Sequence, residues 1–211
     1  MVIPSVPAFA GTGSARGISV EIPRYGVRPF ARDDLTMSIP KDPSLVKFVT
    51  SVIYADPMLR EEGISLLKKR WGEVDLREDG ISFFHTDYYA KEFGSPLFRS
   101  FFSFKRLYQR EDLVAAKLFS NGVENRLAKG DGQRSINIDP GYLTDGQLVL
   151  ATGKNYSHRI YLGEGIFADL TLIYKEGGYQ SLPWTYPDYK EAQLQMLLLK
   201  MREIYLYDKT P

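Results

Sequence analysis

Residues 137–178, NIDPGYLTDGQLVLATGKNYSHRIYLGEGIFADLTLIYKEGG, constrain the fold more than any other stretch. Turn signals cut this stretch into apolar runs too short for a packed helix. Asp139-Pro140-Gly141-Tyr142 suits a type II turn, with Pro at its second position and Gly at its third. Asp145-Gly146 is a hairpin dipeptide between YLT and QLVLAT. Gly163-Glu164-Gly165 reads as a three-residue hairpin loop between HRIYL and IFADLTLIY, and Glu176-Gly177-Gly178 turns the chain once more. Such a segment can fold only as an antiparallel meander.

Upstream, the pattern alternates between strand and helix. VKFVTSVIYA (46–55) is β-branched and apolar on both alternating faces, which predicts a central strand. Asp56-Pro57 supplies an N-cap and a first-turn proline. Glu61 and Glu62 follow near the helix start, and Lys68, Lys69 and Arg70 near its end at Trp71-Gly72. That basic run reads as a solvated helix end rather than a nucleic-acid patch. ISFFHT (81–86) and LFRSFFSF (97–104) predict two more strands, with DYYAKEFGSP between them as a loop or short helix. Residues 110–128 predict a second helix, with Leu113, Ala116, Val123 and Leu127 on one stripe. RSINID (134–139) predicts a fourth strand. The order βαββαβ is the ferredoxin-like pattern. At the far end, Thr185 and Asp188 around Pro187 resemble a capping box. Beyond them Leu194, Leu197, Leu198, Met201, Ile204 and Tyr205 keep helical spacing, a stripe better read as core than as partner surface. The predicted fold class is α+β: a ferredoxin-like core extended by the meander, with a C-terminal helix, in one domain over 44–211.

Residues 1–43 are rich in Gly, Pro and Arg without periodicity and read as a flexible arm. Translation starting at Met37 is an alternative reading. The opening MVIPSVPAFAGTG lacks the basic region of a secretory leader, and prolines break its apolar run. Lys plus Arg total 27 against 26 acidic residues, a balance without the basic footprint of a nucleic-acid binder. There are no cysteines and only two histidines, which excludes thiolate metal sites, disulfides and a three-histidine centre. No apolar run reaches membrane-spanning length. A cytoplasmic protein is the expectation, with no nucleic-acid partner and no membrane association.

Several polar residues invite a functional reading. With Leu162 opposite Ile166, Arg159 falls opposite Asp169, and a cross-strand ion pair accounts for it. His158 alternates with Ile160 and Leu162, as a structural histidine would. It also stands beside GKNYS, where Lys154 can gather an anion as a point charge. Lys117, Asn121 and Glu124, spaced i, i+4 and i+7, form a polar stripe whose plainer reading is a solvated face. Tyr89 and Glu92 lie in a connection crowded with chemistry, TDYYAKE. The segment WTYPDY (184–189) is similar. His85-Thr86 and His158-Arg159 lack the paired histidine motif of two-histidine phosphoesterases. GKN at 153–155 is no phosphate loop, and GTGSARG at 11–17 follows no strand and lacks a dinucleotide fingerprint's third glycine.

FHTDYYAKEFGSPLFRSFFSF, KLFSNGVE, the segment from Asn137 to Tyr174 and WTYPDY together resemble a bacterial and archaeal family, domain of unknown function 4416. The resemblance runs over about residues 45–207. It implies no established activity, and it implies a start near Met37. It also implies that Thr86, Tyr88, Tyr89, Glu92, Arg99, Lys117, Asn121, Asn137, Asp139, Lys154, His158, Arg159, Trp184, Tyr186 and Asp188 are typical family residues. His85 is outside that pattern, Phe93 replaces a usual methionine, and the family usually carries Glu at the position of Asp169.

The functional expectation is a small anionic ligand, such as a nucleotide or phosphorylated metabolite, held by Lys154 and Arg159. Lys117 and Asn121 would face them, with Tyr89 and Glu92 alongside. His158 would donate or relay a proton and Asp139 would orient it. No metal site or cofactor is assigned, and the oligomeric state is left open. The rival is a non-catalytic structural or protein-interaction module, in which the same residues form turns and cross-strand pairs.

Overall fold

A strand apolar on both faces must be covered on both, and β1 (Val46–Tyr54) is buried along its whole length. The computed structural model describes residues 39–84, 89–130 and 133–209. The fold below is that of the compact unit Asp42–Pro211. Most of the expected arm, Met37, His85, Thr86 and Tyr88 lie outside the described residues.

After β1 come α1 (Pro57–Trp71), β2 (Val74–Ser82), a single helical turn α2 (Ala90–Phe93), β3 (Phe98–Tyr108), α3 (Asp112–Arg126) and β4 (Ile136–Leu143). The meander follows as β5 (Gln147–Thr152), β6 (Arg159–Gly163), β7 (Ile166–Lys175) and β8 (Gly178–Ser181). A 3-10 turn (Pro187–Lys190) leads into α4 (Ala192–Asp208). The strands form one eight-stranded sheet in the order β2-β3-β1-β4-β5-β7, with β6 and β8 both on β7, and every pairing is antiparallel. The architecture is therefore α+β, with the meander continuing the sheet that β1–β4 begin. Among the described residues no helix is long and apolar enough to cross a membrane.

Each face of the sheet carries its own core. On one face, Phe48, Val52, Phe102, Ile136 and Ile138 meet Ile64, Leu67 and Trp71 of α1 and Leu113, Ala116, Val123 and Leu127 at α3. On the other, Val49, Phe101, Leu143, Leu148 and Leu172 meet Leu194, Leu197, Leu198, Met201 and Tyr205 of α4. The predicted stripes of α3 and α4 are thus core, except that Ile204 is only half-buried. Asp56 caps α1 as expected, its Oδ1 accepting the Met58 amide at 2.8 Å. Glu61 and Glu62 lie beyond the first turn, and Glu61 pairs with Arg77 of β2 instead of the helix dipole.

Four expectations need correction. The second strand is VDLREDGIS at 74–82, which shares only Ile81 and Ser82 with the expected ISFFHT and leaves Phe83 and Phe84 outside it: as an edge strand it needs only one neighbour, so charge and Gly80 are tolerated in it. Asp139-Pro140-Gly141 is no turn but the middle of β4, with Pro140 opposite Thr50 of β1. β5 pairs with β4 only over Gly141–Leu143, so the outer side of β4 is open from Ile136 to Pro140. The Ile138 amide and carbonyl bond to α3 on that open side. Pro140, two residues on, aims the same way, and its missing N–H leaves no ladder bond broken. The β6–β7 loop has two residues, Glu164 and Gly165, both at positive φ (49° and 76°) as a type I′ turn requires. Gly163 therefore pairs with Ile166, and a bulge after Tyr161 absorbs the extra residue, so Arg159 still falls opposite Asp169. Finally, Thr185 and Asp188 do not cap α4, which starts at Ala192. They bond Thr171 and Arg99 instead.

Gly141 marks the tight junction of the two halves. A Cβ there would meet the Val149 carbonyl oxygen at 2.5 Å and Leu150 Cδ2 at 2.7 Å. Gly141→Ala should lower stability by about 2 kcal/mol, shifting the urea midpoint without changing the slope. Gly146→Ala, with nothing within 4 Å of its Cβ, should stay within about 0.5 kcal/mol of the native chain.

Candidate functional site

Two polar networks hold the predicted residues. The first is built on the open side of β4. Lys117 reaches from α3 to the Ile138 carbonyl at 2.8 Å and to Asp139 Oδ1 at 3.1 Å. One helical face away, Glu124 accepts the Ile138 amide at 2.6 Å. Two side chains seven residues apart on α3 thus take the place of a neighbouring strand. The stripe read as solvated is in fact buried at both ends, because an unpaired amide and carbonyl inside the sheet must find partners. Asn121 between them is half-buried, and its side chain makes no hydrogen bond among the described residues.

The network extends outward from Asp139. Asn137 donates to Asp139 Oδ2 at 2.6 Å and accepts from Arg134 at 3.2 Å. Arg134 also pairs with Glu92 at 2.9 Å and lies over the Tyr89 ring at 5.8 Å. Desolvation pushes the Asp139 carboxyl up, but Lys117's charge and hydrogen bond and the Asn137 amide outweigh it and hold it below the ordinary aspartate range. Glu124 moves the other way, raised chiefly by burial despite Lys117 and the Ile138 amide. The Tyr89 phenol is raised by burial first and then by Asp139. About a third of the Asp139 side chain is accessible (32%), as are similar shares of Arg134 and Glu92, so the chain of charges opens outward from buried Lys117 and Glu124.

The second network lies at the end of the meander. Arg159 Nε and His158 Nε2 meet on one oxygen, Asp169 Oδ2, at 2.9 and 3.3 Å. The expected cross-strand pair is present, but His158 is oriented by Asp169 and not by Asp139. Arg159 also donates to the Lys154 carbonyl at 2.9 Å and to the Tyr186 hydroxyl at 3.4 Å. His158 does not sit among aliphatic side chains. It stacks on Trp184 at 4.8 Å and 11°, with Tyr156 against its other side at 5.3 Å. Trp184 is fixed by its indole N–H on the Leu170 carbonyl at 2.8 Å. The Lys154 side chain is exposed.

Tyr186 accepts a hydrogen bond from Arg159 of the second network. Tyr186 stands in the segment 184–189, which docks at both ends: Thr185 donates to the Thr171 carbonyl at 2.6 Å, and Asp188 pairs with buried Arg99. The segment therefore ties β7 to β3 across the sheet. The structure brings Tyr89, Glu92, Lys117 and Asp139 together, and separately Lys154, His158 and Arg159. Lys117 is engaged with β4, at the Ile138 carbonyl and Asp139. Sequence reasoning missed Arg134 and misread Glu124; the i+7 spacing of Glu124 from Lys117 was the available signal. No group of three or more His, Asp or Glu among the described residues is arranged to hold a metal ion.

A model of the family described as Domain of unknown function (DUF4416) matches residues 44–205. The chain belongs to that family. No curated protein and no solved structure matches it.

Replacing Lys117 tests the first network. Ionised Asp139 stabilises the native state above the ordinary aspartate range, and that contribution is lost as the pH falls through its lowered pKa. Lys117→Met should cost about 2–3 kcal/mol at neutral pH, since it removes the counter-charge of Asp139 and leaves the Ile138 carbonyl unpaired. Without Lys117, burial governs Asp139, and the acid limb of stability should begin at higher pH. Urea titrations across the acid range check both effects.

Proposed function

We propose that this member of the family binds a small anionic ligand, of the nucleotide or phosphorylated-metabolite class, at the end of the meander. The supporting observation is the sharing of Asp169 Oδ2 by His158 and Arg159. One carboxylate serves two groups that can carry positive charge, and the backbone carbonyl of exposed Lys154 accepts from Arg159 beside them. With His158 protonated the group holds excess positive charge, which an anion would balance. On this reading Lys154 and Arg159 grip charge, and His158 donates a proton or hydrogen bond. Trp184 and Tyr186 form the wall. Lys117, Asn121, Asp139, Tyr89 and Glu92 have no direct role on this reading.

We read the part from β1 to β4 as a ferredoxin-like unit. The order βαββαβ, with neighbours β2-β3-β1-β4 and antiparallel pairing throughout, supports this. The exposed β6 edge favours a second reading, a protein-interaction module. The two readings separate by experiment.

Calorimetric titration of the full chain with pyrophosphate and with a nucleoside triphosphate should give binding that weakens as salt is raised. Lys154→Ala and His158→Ala should each weaken it about tenfold, roughly 1.4 kcal/mol, while Lys190→Ala, exposed on the 3-10 turn, should not. Heat from neither ligand, or binding untouched by both variants, would overturn the reading.

A further inference from the structure

Three aromatic side chains around the shared Asp169 carboxylate keep much of their surface in water: Tyr156 (64% exposed), Tyr186 (54%) and Trp184 (37%). Each touches one of the two groups that this carboxylate serves. Tyr156 and Trp184 flank the His158 ring, and Tyr186 accepts from Arg159. An exposed aromatic ring on its own is ordinary, but three gathered around two basic side chains form a patch that marks a binding surface. The two rings beside His158 are used differently. Trp184 lies flat on the imidazole at 11°, so one of its faces is spent there. Tyr156 meets the imidazole at 59°, so that contact does not cover its broad face. It stands in the connection from β5 to β6, two residues from Lys154 and three from Arg159.

We propose that the ligand of this site is a nucleotide, its base stacked on the uncovered face of Tyr156 and its phosphates directed to Arg159. This rests on the anion site proposed above and narrows the ligand class. Charge alone accounts for Arg159 and His158 but gives the exposed rings no task. A phosphorylated sugar would meet the same charges and leave the aromatic surface wet, whereas a ligand both anionic and planar uses both. Every base offers a π face to such a ring, so recognition follows ring area and favours purines over pyrimidines.

The test compares adenosine triphosphate with inorganic triphosphate, which carries similar charge and no base, by calorimetric titration of the full chain. Adenosine triphosphate should bind about tenfold more tightly, with cytidine triphosphate between the two. Tyr156→Leu should bring adenosine triphosphate down to the affinity of inorganic triphosphate and leave the latter within about twofold of its native value. Tyr156→Phe should keep the preference, because it keeps the ring. The side chain is exposed, so both variants should retain the native circular dichroism. Equal affinity of the native chain for the two triphosphates would overturn base stacking and leave the anion site standing. Heat from neither would overturn both. A preference for adenosine triphosphate that survives Tyr156→Leu would overturn the placement of the base on Tyr156.

Discussion

The amide and carbonyl of Ile138 are the constraint around which the first half of the molecule is arranged. They sit inside an eight-stranded sheet, yet β5 departs from β4 before reaching them. Leaving both groups unpaired would cost several kcal/mol. Lys117 and Glu124 satisfy them, at the expense of burying two opposite charges on α3. Those charges then require partners of their own. Asp139 answers Lys117, Asn137 answers Asp139, and Arg134 links Asn137, Glu124 and Glu92. The polar stripe of α3, the proline inside β4 and the charged cluster beside Tyr89 therefore share one cause, an incomplete strand pair.

That cause explains what could and could not be read beforehand. Local chemistry was legible. The cap at Asp56, the apolar stripes of α3 and α4, and the opposition of Arg159 and Asp169 each follow from spacing within one element or one hairpin. The polar stripe was illegible because its burial depends on how far β5 follows β4, a property of neither segment alone. Asp139-Pro140-Gly141 carries the chemistry of a turn and becomes strand because β1 pairs with all of β4, while the open side makes no demand on Pro140. β2 was missed for a related reason: its single neighbour, β3, supplies the pairing that its own composition does not announce.

The segment 184–189 shows the same tertiary control from the other direction. Its Thr, Pro and Asp suit a helix start, yet each polar group is engaged by the sheet. Trp184 and Thr185 bond β7 at Leu170 and Thr171, the interval between its contacts with β6 and with β8. Asp188 pairs with Arg99, whose guanidinium lies over Phe83 and Tyr189 at 5.0 and 5.2 Å. The result is a strap that holds Tyr186 against Arg159 and Trp184 against His158.

The two networks differ in what they can do for a ligand. Around Asp139 each cation has a carboxylate, and the pairs hold backbone, strand and helix together, so a ligand there would have to break an existing bond. At the meander end Asp169 is divided between Arg159 and His158, and the aromatic stack holds the imidazole in place. A shared carboxylate is the weaker hold on each partner, and the residues around it belong to a loop and an edge strand rather than the sheet centre. Binding at such a place disturbs little of the fold. On that physical ground we place the proposed anion site at the meander end and not at the more heavily charged cluster at β4.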